Sequence, residues 1–205
     1  RLSLVGSEMC IRDRYKTYGP HLALLYGKKE LLDQTKNLNH EFLASEIPYT
    51  MNPGGPNHEE LACLSGVTDY YETLYSHHFT EQGLNLHEKG KKVFELIYNH
   101  EETLIKTLIE FLKLKKNVRL IGKTSHSRSE RMPTVSFTVK DKSSLEIAKA
   151  AGKNQIGIRN GEFYAWRCLK GLGIEPNDGV VRVSMVHYNN IEEVNRLIDF
   201  LDTIL

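Results

Sequence analysis

The 205-residue chain carries 27 basic and 26 acidic side chains, a formal net charge of +1. That balance speaks against a nucleic-acid partner, which ordinarily selects a clear basic excess, and no run of about 18 apolar residues is present to form a helical membrane span. Three cysteines (Cys10, Cys63, Cys168) are odd in number, widely spaced and without a CxxC pair, so a disulfide framework and a zinc ribbon are disfavoured and a reducing, cytoplasmic setting is expected.

In chain order, residues 1–14 begin without Met, and the stretch SLVGSEMCIRDR has neither a signal peptide's apolar stretch nor a helical period. It resembles translated sequencing-adapter read-through and is expected to be a non-native leader; a disordered native N-terminus is the alternative. Gly19-Pro20 marks a turn, and residues 22–26 form a short apolar run suited to a buried strand. A short amphipathic turn or helix is predicted over 28–34 and a loop over 37–50. Residues 52–57, Asn-Pro-Gly-Gly-Pro-Asn, are the strongest breaker cluster and lead into a helix predicted over 58–75, with Leu61, Leu64, Val67, Tyr71 and Leu74 at helical spacing.

A second helix is predicted over 91–116 on Phe94, Ile97, Leu104, Leu108, Phe111 and Leu112. Strands are predicted at 118–121, at 134–139 from strict alternation, at 155–159 and at 179–186. Between them the pattern predicts a helix to about 151, boxed by Ser143 and Glu146, and a helix over 161–172. The last helix is boxed by Asn190 and Glu193 and is expected to bury Ile191, Val194, Leu197, Ile198, Leu201 and Ile204. The whole reads as an α/β chain with helices packed on a small sheet. Domains are expected at 15–90 and 118–205, joined by a helix over 91–117.

Few residues suggest chemistry. Lys16, set among aromatics before a tight turn, is either a desolvated amine able to condense with an aldehyde or an ordinary surface lysine. Gly54 and Gly55 either let backbone N–H groups approach a phosphate or form a plain turn. Arg182, away from the apolar face of its strand, either clamps a carboxylate or is solvated. The nine histidines show no HxxxH or HxH spacing, so no metal site is expected. Without GxSxG a hydrolase nucleophile elbow has no support.

Taken in order, Tyr15-Lys16-Thr17-Tyr18-Gly19-Pro20-His21, Pro53-Gly54-Gly55-Pro56-Asn57-His58-Glu59 and Val180-Val181-Arg182-Val183-Ser184 followed by His187-Tyr188-Asn189-Asn190 resemble the C-terminal half of the class V aminotransferase fold, in particular cysteine-desulfurase-like proteins. The resemblance implies a pyridoxal 5′-phosphate enzyme of fold type I acting on a small amino acid as a homodimer. The chain would be a remnant of the cofactor-binding large domain plus a small C-terminal α/β domain. It also implies roles: Lys16 as the Schiff-base lysine, Gly54 and Gly55 on the loop reaching the partner subunit's cofactor phosphate, and Arg182 on the substrate carboxylate. Two departures stand out. Tyr164, in Arg159-Asn160-Gly161-Glu162-Phe163-Tyr164-Ala165, takes the place of the desulfurase nucleophilic Cys, and Gly55 takes the place of the Thr in the family's Gly-Thr-Pro-Asn.

Cys168 is expected to be a packed core thiol. The upstream cofactor ligands of the family are absent, so the chain by itself is expected to be an inactive fragment, poorly folded around residues 15–60. The small domain is within the size range that folds alone. The alternative is an inert relative acting only as a packing or interaction module.

Overall fold

The structure, a computed structural model, describes residues 9–13, 23–37, 39–43, 49–51, 54–55 and 57–205. It divides into two compact units, residues 1–93 and 94–205, and the division falls inside one long helix. Among the described residues no helix is long and apolar enough to cross a membrane.

In the N-terminal unit, strand β1 (Met9–Asp13) pairs antiparallel with β2 (Ala23–Gly27), Met9 lying opposite Gly27. The first of these strands comes from the segment expected to be a leader. Helix α1 (Lys29–Asp33) and two 3₁₀ turns, Glu41–Leu43 and Tyr49–Met51, follow. Helix α2 (His58–His78) starts where the breaker cluster predicts, its Asn57 side chain accepting the Glu60 N–H at 3.0 Å. It runs three residues past the predicted end, to where the Phe79 N–H reaches the Tyr75 carbonyl and the two rings stack at 5.2 Å. Helix α3 (Leu86–Lys113) starts five residues earlier than its apolar period suggests. Asn85 and Glu88 cap it reciprocally, at 3.0 and 2.9 Å. That is enough to carry Gly90 inside the helix despite a cost of about 1 kcal/mol. The inward face differs by one position from the reading above: Val93 is buried, while Phe94 is exposed and stacks on Tyr98 at 6.1 Å.

The C-terminal unit is built on four strands, β3 (Val118–Ile121), β4 (Thr134–Val139), β5 (Arg159–Gly161) and β6 (Val180–Ser184), antiparallel throughout in the order β3-β4-β6-β5. Three helices complete it: α4 (Ser144–Lys153), α5 (Trp166–Gly171) and α6 (Ile191–Ile204). The two faces of the sheet differ. One, carrying Val135, Phe137, Val139, Val181 and Val183, forms the main core with Leu104, Leu108 and Leu112 of α3, Ile147 and Ala151 of α4, and Val194, Leu197 and Leu201 of α6. The second half of α3 thus belongs to this unit's core. The other face holds a smaller cluster, Leu169 of α5 with Ile174 and Val180, against which Ile121 and Phe163 pack.

Two predicted elements are shorter than their sequence pattern. The strand expected over 155–159 begins only at Arg159. Gln155 sits at φ +58°, and the Ile156 N–H turns back to the Ala151 carbonyl at 3.0 Å, so these residues close α4 instead. The helix expected over 161–172 begins only at Trp166. Gly161 (φ +133°) ends β5, and Phe163 (φ +50°) and Tyr164 (φ +61°) are both left-handed.

The cap of α6 forms as predicted, Asn190 and Glu193 satisfying one another. At α4, Ser143 caps the Leu145 N–H, but the carboxylate engaging it is Asp178 rather than Glu146, at 2.6 Å from the Ser143 hydroxyl and 2.8 Å from the Ser144 N–H. Burial raises the Asp178 pKa; hydrogen bonds from Ser143, Ser144 and Leu145 outweigh it and hold the carboxyl below its ordinary value.

Two outcomes follow from this packing. A carboxyl depressed on folding stabilises above its unfolded pKa and loses that contribution as pH falls through its folded one. Asp178→Ala should therefore cost about 1 kcal/mol at pH 7, and in denaturant titrations its difference from wild type should shrink in acid. At Gly179 (φ +67°) an added Cβ would lie 2.2 Å from the Gly161 carbonyl carbon and oxygen. Gly179→Ala should cost about 3 kcal/mol by the same measurement.

Candidate functional site

Arg182 lies in the middle of β6, between two positions buried on the core face, Val181 and Val183. The period of two along a strand puts its side chain on the opposite face. There it stands across from Ser136 of β4 and Arg159 of β5. At one end of this face the Thr134 and Ser184 hydroxyls lie 3.3 Å apart. At the other, α5 covers the small apolar cluster.

The Arg182 guanidinium carbon lies 3.8 Å from the centroid of the Phe163 ring. Its Nε is buried without a hydrogen-bond partner. Among the described residues no carboxylate forms an ion pair with it. Arg159, directly across, is exposed and adds a second positive charge. The face is thus a half-buried cationic surface with donors for an anion and, among the described residues, no carboxylate paired to Arg182. A guanidinium in such a place takes a carboxylate through two parallel N–H···O bonds.

Arg131 buttresses the edge of the face, donating to the Lys123 carbonyl and, at 3.0 Å, to the Thr134 carbonyl. Burial pulls its pKa down from the ordinary arginine value. Arg128 ties the same loop to α3 through an ion pair with Glu95 at 2.6 Å.

The other candidates are distributed as follows. Lys16 and Pro53 lie outside the described residues. Gly54 and Gly55 belong to the N-terminal unit, both exposed, with no described residue within 4 Å of an added Cβ. Among the described residues nothing blocks a phosphate's approach to their backbone. The helix end behind them fits it less well, because Asn57 already takes the Glu60 N–H and Glu59 and Glu60 occupy the first turn. Cys168 is exposed on α5, not packed in a core as expected. In so short a helix, leaning on the sheet through buried Leu169, the preceding residue is rotated about 100° away from the contact. Tyr164 projects fully into solvent. Among the described residues no group of His, Cys, Asp and Glu could hold a metal ion.

Sequence reasoning missed Phe163 as the neighbour of Arg182. Its ring is placed by backbone of positive φ, for which a Phe carries no signal.

The profile of the family described as aminotransferase class-V matches residues 13–197. The chain belongs to the class-V aminotransferase family. An aminotransferase-like protein of Gibberella zeae is 34% identical over 202 residues, 98% of this chain and 47% of the relative. A cysteine desulfurase-like protein of Aspergillus flavus is 30% identical over 199 residues, 93% of this chain and 41% of the relative. The chain therefore spans less than half the length of these relatives. Two solved structures share its fold, a cysteine desulfurase of Escherichia coli in an S-sulfonic acid form and the apo cysteine desulfurase of Thermococcus onnurineus. Their TM-scores are 0.71 and 0.72, at 18% and 21% identity, each over 96% of this chain and 45% and 46% of theirs. The class-V α/β fold expected from the resemblance is the one the chain adopts.

One ionisable cluster lies away from this face. Glu101 of α3 is buried, and burial raises its carboxyl pKa against the opposing pull of His100 and the His187 N–H. Burial, with His100 nearby, lowers that of His187. A raised carboxyl pKa makes the folded state bind protons more tightly than the unfolded chain, so its effect on stability turns unfavourable as pH rises through the interval above 4.5. In thermal unfolding from pH 4 to 7, Glu101→Gln should remove this downward component and leave the His187 effect, a loss of stability as pH falls below 6.5.

Proposed function

We propose that this chain is the C-terminal part of a pyridoxal 5′-phosphate enzyme that acts on a small amino acid, with Arg182 as the carboxylate clamp and Lys16 as the amine at the reacting carbon. One observation carries the reading: a half-buried guanidinium on a rigid strand, with no carboxylate paired to it among the described residues. Membership of the class-V family and the order of the sequence segments around Lys16, Gly54 and Arg182 support it.

Arg182 binds the substrate carboxylate in the plane of its guanidinium and so orients Cα. Lys16, whose place in the sequence matches the family's cofactor lysine, would be the amine that holds the cofactor, and its free ε-amino group would take the proton from Cα. Gly54 and Gly55, with no described residue close to an added Cβ, would let backbone N–H groups approach a phosphate. The cofactor, when bound, supplies an electron sink for the bonds at Cα. The side chain at position 164 is a phenol, a far poorer sulfur acceptor than a thiolate, so persulfide formation is not assigned to it. Elimination, transamination and epimerisation all use the residues named. The intact protein is proposed to work as a cytoplasmic homodimer.

Borohydride reduction of the full-length holo-protein, followed by peptide mass spectrometry, should place the pyridoxyl group on Lys16; an adduct on another amine would remove this reading. Arg182→Ala should weaken binding of the amino acid about 100-fold, roughly the worth of a charge-assisted bidentate pair. Cys168→Ala should leave turnover within about twofold, whereas a cysteine-dependent loss of sulfide release in that variant would instead make Cys168 the sulfur acceptor.

A further inference from the structure

The turn between β5 and α5 is shaped at a cost. Phe163 and Tyr164 occupy the left-handed region in succession, at φ +50° and +61°, where side chains bearing a Cβ are disfavoured. Strain of this kind persists only where the surroundings over-determine it. Here three contacts do so. Gly161 and Gly179 meet so closely that a Cβ on the latter would sit 2.2 Å from the Gly161 carbonyl. The Ala165 N–H closes the turn on the Glu162 carbonyl at 2.8 Å. The Phe163 side chain packs against the cluster of Leu169, Ile174 and Val180.

The product of this arrangement is a ring laid against the guanidinium of Arg182. A guanidinium stacked on an aromatic face is held by attraction to the ring, and its in-plane N–H donors remain free. Arg182 has no ion pair among the described residues that would otherwise set its orientation.

We propose that Phe163 is a positioning residue for the substrate carboxylate. The strained 163–164 turn holds its ring against Arg182 so that the guanidinium plane is already set before the amino acid arrives. This rests on the clamp role given to Arg182 above. The gain is pre-organisation: an arginine otherwise free to rotate would lose side-chain freedom on binding.

The test uses the full-length holo-protein with L-cysteine and L-alanine as probes, and their methyl esters, which lack the carboxylate. Phe163→Leu, which keeps the apolar packing but removes the ring, should raise the KM or dissociation constant of the acids about tenfold with kcat changed less than twofold. Binding of the esters should not move. Phe163→Tyr, which keeps the ring, should restore the acids to within about threefold of wild type.

Independently of any variant at 163, the Arg182 Nε–H of the wild type should show an aromatic ring-current shift and slow exchange with water, its resonance assigned by its loss in Arg182→Lys. An unshifted, fast-exchanging resonance, or equal weakening of acids and esters in Phe163→Leu, would overturn the proposal. If Arg182→Ala weakens the acids and Phe163→Leu does not, the positioning role alone falls. If Arg182→Ala leaves acid binding unchanged, the clamp itself falls.

Discussion

The architecture of the C-terminal unit depends on a sheet whose two faces meet different surroundings. Val135, Phe137, Val181 and Val183 are driven into the core against α3, α4 and α6, and the apolar area they remove from water fixes the register of β4 against β6. Once Val181 and Val183 are inside, Arg182 has no choice of face. The geometry that presents the guanidinium is therefore set by hydrophobic burial on the opposite side of the sheet. A slip of one residue would turn the charge toward the apolar core, which costs free energy.

The second face is finished by small, local contacts. Helix α5 covers part of it through Leu169, and its C-terminal turn is tied down where Arg119 donates to the Leu172 carbonyl at 2.9 Å. The rest stays polar and open. Asp178 links this region to α4, and Gly179, immediately next to it, allows the close approach to Gly161 that shapes the turn before α5. The cap and the close backbone contact are adjacent in sequence at Asp178 and Gly179, and the contact joins them to the strained turn that follows Gly161 and places the Phe163 ring.

Across the class-V family the shared element is the fold, and the chemistry resides in particular side chains. On the proposed reading, Arg182 holds an amino acid's carboxylate, Gly54 and Gly55 reach a phosphate, and Tyr164 stands where the resemblance to desulfurases would put a thiol. Under that proposal the chemistry is at Cα and not a transfer of sulfur to the protein.

Much of the fold was legible in the sequence. The alternation over Thr134–Val139 and the stripe of Val194, Leu197 and Leu201 report burial on one face directly, because strand and helix periods translate position into direction. The Asn190 and Glu193 cap was legible for the same reason, since its partners are three residues apart, and the order of the segments around Lys16, Gly54 and Arg182 pointed to the family. Contacts between distant residues were not legible. Asp178 displaces Glu146 at the α4 cap from 35 residues away, and the Phe163 ring reaches Arg182 only because β5 and β6 are neighbours. Left-handed backbone at Gln155, Phe163 and Tyr164 cut short a predicted strand and a predicted helix. Local propensity opposes such conformations, and only the packing around them makes them the lowest in free energy.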